Sequence, residues 1–216
     1  MKKHRYALYA GKKVYIHKSD QTVLLDRRIW MDVHRIQHGV LWVHWIKKCP
    51  SCGNCASDLS KPIKGAAKVV KSATYKQQLR TPKFHKLANL FLCSSLILEN
   101  AGEYADAGWA SIHAAWVCDD AEKDSSAKKC RERAIILLQK AQETGQKFTE
   151  KKAEEDLLIV DLLRRSRQFE QANKNCESGL KKKPNKLIRS ILLFQGKLIS
   201  QSDVACYSVA KATGKK

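Results

Sequence analysis

Proline is scarce in this chain, at four of 216 residues, and no uninterrupted apolar run approaches the eighteen or so residues that a membrane helix requires. The first lack permits long helices, and the second argues against membrane insertion. The N-terminal MKKHRYALYAGKKVYIHKSD has the positive charge of a signal peptide, but Gly11, Lys12 and Lys13 interrupt its apolar stretch after a few residues. A soluble, cytoplasmic protein is the expectation. Signature motifs of catalysis are missing as well: there is no phosphate-cradling glycine loop, no Gly-x-Ser-x-Gly elbow, no His-Glu-x-x-His and no deaminase His-x-Glu. Those absences remove the usual reasons to propose an enzyme.

Acidic residues are scarce at one end only. Residues 1 to 87 hold 19 Lys/Arg against 4 Asp/Glu, whereas residues 88 to 216 hold 22 against 17, within a formal net charge of +20. A positive field of this kind attracts phosphates whatever their sequence context. Lys61, Lys64, Lys68, Lys71 and Lys76 recur at helix-compatible intervals and are the candidate nucleic-acid contacts; Trp30, Trp42, Trp45 and Tyr75 are candidate rings for stacking on bases. Solubility and core packing are the plainer readings of the same residues.

Three of the eight cysteines fall in CPSCGNC, as Cys49, Cys52 and Cys55, where Pro50 and Gly53 suit a tight turn. Clustered thiols in a reducing compartment point to a metal site, with zinc the first choice for thiolate ligands; a vestigial knuckle without metal and an iron-sulfur or redox role are the alternatives. His44 is the nearest fourth ligand, with His38 and His34 as alternatives. If Cys55 is not a ligand, two histidines would complete a Cys2His2 set. No second cysteine pair precedes Cys49. The other cysteines, Cys93, Cys118, Cys130, Cys176 and Cys206, sit in helical patterns and read as small buried side chains.

The segment before this cluster offers short strands or a hairpin in YALYA, KKVYIH and TVLLD, which Gly11 and Ser19-Asp20 separate. LLDRRIWMDVHRIQ also fits an amphipathic helix, and VLWVHWIKK reads as an aromatic strand. KPIKGAAKVVKSATYKQQLRTPK reads as a basic connector with room for a short helix over 66 to 80. From Phe84 the period is helical: Leu87, Leu90, Phe91, Ser94, Ser95 and Leu98 are spaced by three and four, with a stop at Gly102. A second helix over Tyr104 to Val117 carries small residues for close approach.

The same order recurs at 153 to 181, where Phe169, Ala172 and Gly179 align without a gap on Tyr104, Ala107 and Ala114, 65 residues earlier. That offset is close to two tetratricopeptide repeats of about 34 residues. A helical unit at 125 to 152 fills the interval, and a stripe of Leu187, Ile191, Phe194 and Leu198 opens a fourth pair that DVACYSVAKAT completes. The expected fold is mainly α: tetratricopeptide-like antiparallel hairpins preceded by a small basic α+β or zinc-knuckle-like region. The expected division is 1–60, 61–83, 84–210 and a basic tail at 211–216.

CPSCG at 49 to 53, FHKLANLFLCSSLILENAGEYADAGWASIHAAWVCDD at 84 to 120 and DLLRRSRQFEQA at 161 to 172 together resemble an uncharacterised bacterial family. Its members join a Cys-Pro-x-Cys-Gly segment to tetratricopeptide-like helices. The resemblance implies a scaffold and little chemistry.

Trp109, His113 and Trp116 are spaced by four and three, so one helical face can display all three, either in the core or along a ligand groove. Asp119-Asp120, Asp156 and Asp161 are accounted for by capping or by links to Arg164 and Arg165. Three functions follow in order: a non-enzymatic scaffold for a protein partner with a structural zinc site, a nucleic-acid-binding module using the basic half, and a metal-dependent enzyme.

Overall fold

The computed structural model describes residues 46–214 and the backbone pairing of two strands nearer the N-terminus. Strand β1 (Arg5–Tyr9) pairs antiparallel with β2 (Lys12–Ile16), from Arg5 opposite Ile16 to Tyr9 opposite Lys12. Two of the runs expected as brief strands, YALYA and KKVYIH, are therefore paired. The expected elements over 17–45, together with His34, His38, His44, Trp30, Trp42 and Trp45, lie outside the described residues. Only the last two residues of the expected aromatic strand belong to a described one: β3 (Lys47–Lys48) pairs with β4 (Cys55–Ala56) across the cysteine turn.

The described residues are mainly helical. Helices α1 (Ala66–Lys71) and α2 (Ala73–Arg80) replace the expected single short helix. Ser72 separates them, because its extended backbone ends α1 while its hydroxyl accepts from the Tyr75 amide and caps α2. This stretch is more than a connector. Tyr75 is 0% exposed and lies in a small core with Cys55, Cys93 and Ile97, so both short helices and the cysteine turn are fastened to α3 (Lys86–Ala101).

Beyond α3 the chain stacks one helix on the next: α4 (Tyr104–Asp120), α5 (Asp124–Glu143), α6 (Lys152–Arg165), α7 (Phe169–Lys181) and α8 (Lys186–Ser200), with a short α9 (Val209–Thr213) against α8. Tyr104 and Phe169 each begin a helix, and Ala107 and Ala172 are each fully buried, so the two hairpins share a register. The interval between them holds one long helix, α5, followed by a loop. α4 also runs three residues past its expected end.

Close approach explains the small residues. A Cβ on Gly108 would come within 2.6 Å of Leu138 on α5, and one on Gly179 within 3.1 Å of Leu192 on α8. Gly102 ends α3 at φ +82°, where the Glu103 amide donates back to the Leu98 carbonyl. The same back-bond recurs after α4, α5, α6 and α8, in three cases across Glu122, Arg167 and Ser202, which hold positive φ without being glycine.

On α8 the expected stripe faces inward at Ile191, Phe194 and Leu198 but not at Leu187. Ile188, Ile191, Leu192, Gln195, Leu198 and Ile199 are buried, whereas Leu187 is 39% exposed. Gln195 lies inward because Arg164 does. Arg164 is 0% exposed and its guanidinium donates to Gln195 Oε1 (2.6 Å), Asp161 Oδ1 (2.9 Å) and the carbonyls of Asp203 (2.6 Å) and Ala205 (2.9 Å). A polar clamp thus ties α6 to α8 and to the segment after it.

Candidate metal knuckle and ligand groove

The turn at Cys49 is held by two backbone bonds: the Cys49 amide donates to the Asn54 carbonyl (2.7 Å) and the Gly53 amide donates to the Cys49 carbonyl (2.9 Å). Gly53 stands at φ +80°, a conformation that a side chain disfavours, which is why glycine follows the second cysteine. From beneath, the Tyr75 hydroxyl donates to the Gly53 carbonyl at 2.9 Å and anchors the turn to α2. Cys52 is exposed and Cys49 partly so.

The Cys49 sulfur lies 3.2 Å from the Ser51 hydroxyl. That hydroxyl, then the backbone and thiol of Cys52 and the amide of Ser51, hold the Cys49 thiol well below its ordinary range, at about 6. Amides aimed at a thiolate from its own turn are the outer-shell arrangement that orients a metal ligand.

Cys55 does not join this pair. It is 0% exposed and turned into the small core against Cys93 and Tyr75. Hydrogen bonding from the Cys93 thiol, opposed by burial and helped by Tyr75, keeps Cys55 below the usual thiol range, while the same contact and burial push Cys93 up. Of the expected ligands, Cys49 and Cys52 thus stand on the turn and Cys55 lies buried beside it. Among the described residues no three His, Cys, Asp or Glu side chains gather to hold a metal ion. His44 lies outside the described residues. Cys93, Cys118, Cys130 and Cys176 are buried as expected, and Cys206 is half-buried.

Next to the knuckle a groove of about 840 Å³ opens between the β4 loop, helices α3 and α4 and the loop after α5. Its walls include Ile46, Ile63, Phe91, Trp109, His113 and Phe148. Asp58, Lys61, Asp106, Lys147 and Glu150 add charges of both signs. The Trp109 indole donates to the Phe148 carbonyl at 2.7 Å. Gln146 accepts from the Ala105 amide (3.1 Å) and donates to the Gly102 carbonyl (2.7 Å), fixing the loop after α5 to the turn between α3 and α4.

The spacing of Trp109, His113 and Trp116 does produce one aromatic row. His113 lies with its ring centroid 6.0 Å from Trp109, 5.2 Å from Trp116 and 5.4 Å from Phe91. The row divides by depth: Trp109 and His113 reach the groove, while Trp116 is 7% exposed and belongs to the main core. Sequence reading missed the far wall, because Phe148 sits in a loop with no period. It also missed Ile63, which lay in a stretch read as linker.

The five candidate lysines, Lys61, Lys64, Lys68, Lys71 and Lys76, are all exposed. Tyr75 is not available for stacking, since it is wholly buried beneath the knuckle. The acidic residues of the stack are ion-pair partners: Asp119 holds Arg131 and Arg165, Asp161 holds Arg164, and Asp156 holds Lys182. No helix among the described residues is long and apolar enough to cross a membrane. Comparison with protein-family models, with curated proteins and with solved structures finds no match to this chain.

Proposed function

We propose that this protein is a non-enzymatic scaffold of tetratricopeptide-like hairpins that grips a segment of a protein partner in the groove beside the knuckle. The observation that supports this reading is the groove itself: about 840 Å³, with Trp109, Phe91 and Phe148 in its walls and both signs of charge around it. Aromatic walls with a few placed polar groups are the usual makings of a binding site. Mixed charge suits a peptide with an apolar centre and charged flanks better than it suits a small anion. The matched register of Tyr104 and Phe169 favours the repeat reading, and the single helix α5 departs from strict two-helix repetition.

Peptides selected by display on the full chain test this. Ala105 lines the groove, so Ala105→Trp fills it without touching the main ion pairs. Selected peptides are expected to lose at least roughly tenfold in affinity on that variant and to be unaffected by Lys174→Gln on the distant α7. Equal binding to both variants would contradict the reading.

The knuckle belongs to the same proposal as a structural zinc site. Cys49 and Cys52 supply two thiolates, and the remaining ligands are drawn from residues outside the described ones, where His34, His38 and His44 stand. Metal analysis of the purified chain is expected to find zinc that is lost in Cys49→Ser and Cys52→Ser and retained in Cys55→Ser. Loss in Cys55→Ser with the other two unaffected would overturn the assignment.

A further inference from the structure

A second surface depends on charge rather than on shape. From Ile46 to Leu98 the chain carries ten lysines and arginines and one carboxylate, Asp58. Asp58 reaches one of them, Lys61, at 3.9 Å, and that lysine side chain is 83% exposed. Lys64, Lys68, Lys71, Lys76, Lys83 and Lys86 form no ion pair among the described residues, and all six are exposed. Helices α1, α2 and α3 have no acid in their first turns, whereas α4, α5, α6 and α7 each have at least one.

These cations are held on one module. Lys68 and Lys71 are three apart on α1 and Lys76 and Arg80 four apart on α2, so each pair shares a helical face. Val69, Val70 and Tyr75 turn the opposite sides of those helices toward α3 and the knuckle, where Val70 is the neighbour of Gly53. Lys47 and Lys48 continue the exposed charge along β3.

The aromatic rings of this region point inward. Tyr75 is 0% and Phe91 2% exposed, and Phe84 packs partly buried against the core. Proteins that bind single strands combine charge with exposed rings on which bases stack. Charge without rings fits phosphates presented by a duplex, whose bases are already stacked on each other.

We infer that the exposed lysines of the α1–α2 module form a sequence-independent docking surface for the phosphate backbone of a nucleic-acid duplex. Lys64, Lys68, Lys71 and Lys76 do not line the peptide groove, and their occupation does not depend on that reading. The phosphodiester is the recognised group, so DNA and RNA duplexes of equal length are both ligands.

Fluorescence anisotropy with a labelled 24-base-pair duplex, titrated with the full chain between ~50 and ~200 mM salt, tests the inference. Binding is expected to fall steeply with salt. The triple variant Lys64→Gln, Lys68→Gln, Lys71→Gln should flatten the log–log salt slope by about 2 to 3 and weaken binding at least roughly tenfold at ~100 mM salt. A matched variant of exposed residues on the stack, Lys181→Gln, Lys183→Gln, Lys186→Gln, removes the same charge and should change affinity less than about threefold. Undetectable or salt-insensitive binding would overturn the inference. So would equal losses in the two triple variants, or tighter binding to a single strand of the same length.

Discussion

Between Ile46 and Leu98 the cations stand exposed beside one carboxylate, whereas from Glu99 onward several carboxylates tie one helix to another. Glu99 holds Arg133 at 2.7 Å and Lys140 at 3.2 Å, Asp119 bridges Arg131 and Arg165 between α5 and α6, and Asp161 sits against a wholly buried Arg164. In the stack, charge is part of how helices are fixed to one another. In the knuckle module it is left at the surface, where it contributes little to stability and is available to a partner. The contrast separates residues that maintain the fold from residues that can act outside it.

The largest effect is expected from breaking the Arg164 clamp. Asp161→Asn leaves the guanidinium without its countercharge in a buried position, and should lower unfolding free energy by roughly 3 to 5 kcal/mol in urea titration. The pH response has a definite sign. Burial raises the Asp161 pKa, but Arg164, Arg165 and the Gln195 amide outweigh it and the carboxyl is held below its ordinary range. Its contribution is present above the unfolded carboxyl pKa and disappears as pH falls through the depressed folded value. Asp161→Asn should therefore flatten the acid limb of the stability curve, and an unchanged limb would break this half of the comparison.

Packing gives the next effect. Gly108→Ala drives a methyl group into Leu138 and should cost about 1 to 3 kcal/mol, read as a lower denaturation midpoint at unchanged slope. Neutralising Lys68 and Lys71 together should alter stability by no more than about 0.5 kcal/mol, because both are exposed and neither forms an ion pair among the described residues. A loss comparable to that of Gly108→Ala would erase the distinction between the two regions. At Cys49 the effect is on reactivity: in the chain stripped of metal by a chelator, with the thiol held at about 6, alkylation at that position should already be near its plateau at pH 7, and Ser51→Ala should shift the profile to higher pH.

The helical stack was readable because its signals are periodic. Spacings of three and four located α3 and α4, Gly102 marked the turn between them, and the gapless alignment of Tyr104 with Phe169 marked two helix starts. The buried face of α8 was less legible, since Arg164 draws the polar Gln195 inward beside the apolar residues. The knuckle was half legible. Cys-Pro-Ser-Cys-Gly specifies a turn, but whether Cys55 faces the metal side or the core depends on Cys93 and Tyr75, far away in the chain. The groove combines a helical face, which periodicity shows, with loop residues such as Phe148 that are brought there by Gln146, a contact between distant residues that no local pattern carries.

Hydrogen exchange of the full chain with and without a display-selected peptide tests the scaffold reading most directly. The account predicts added protection in the three walls of the groove, at residues 56–63, 105–113 and 147–150, with α7 and α8 unchanged. Protection confined to α6–α8, or absent from all three walls while the peptide is bound, would contradict it.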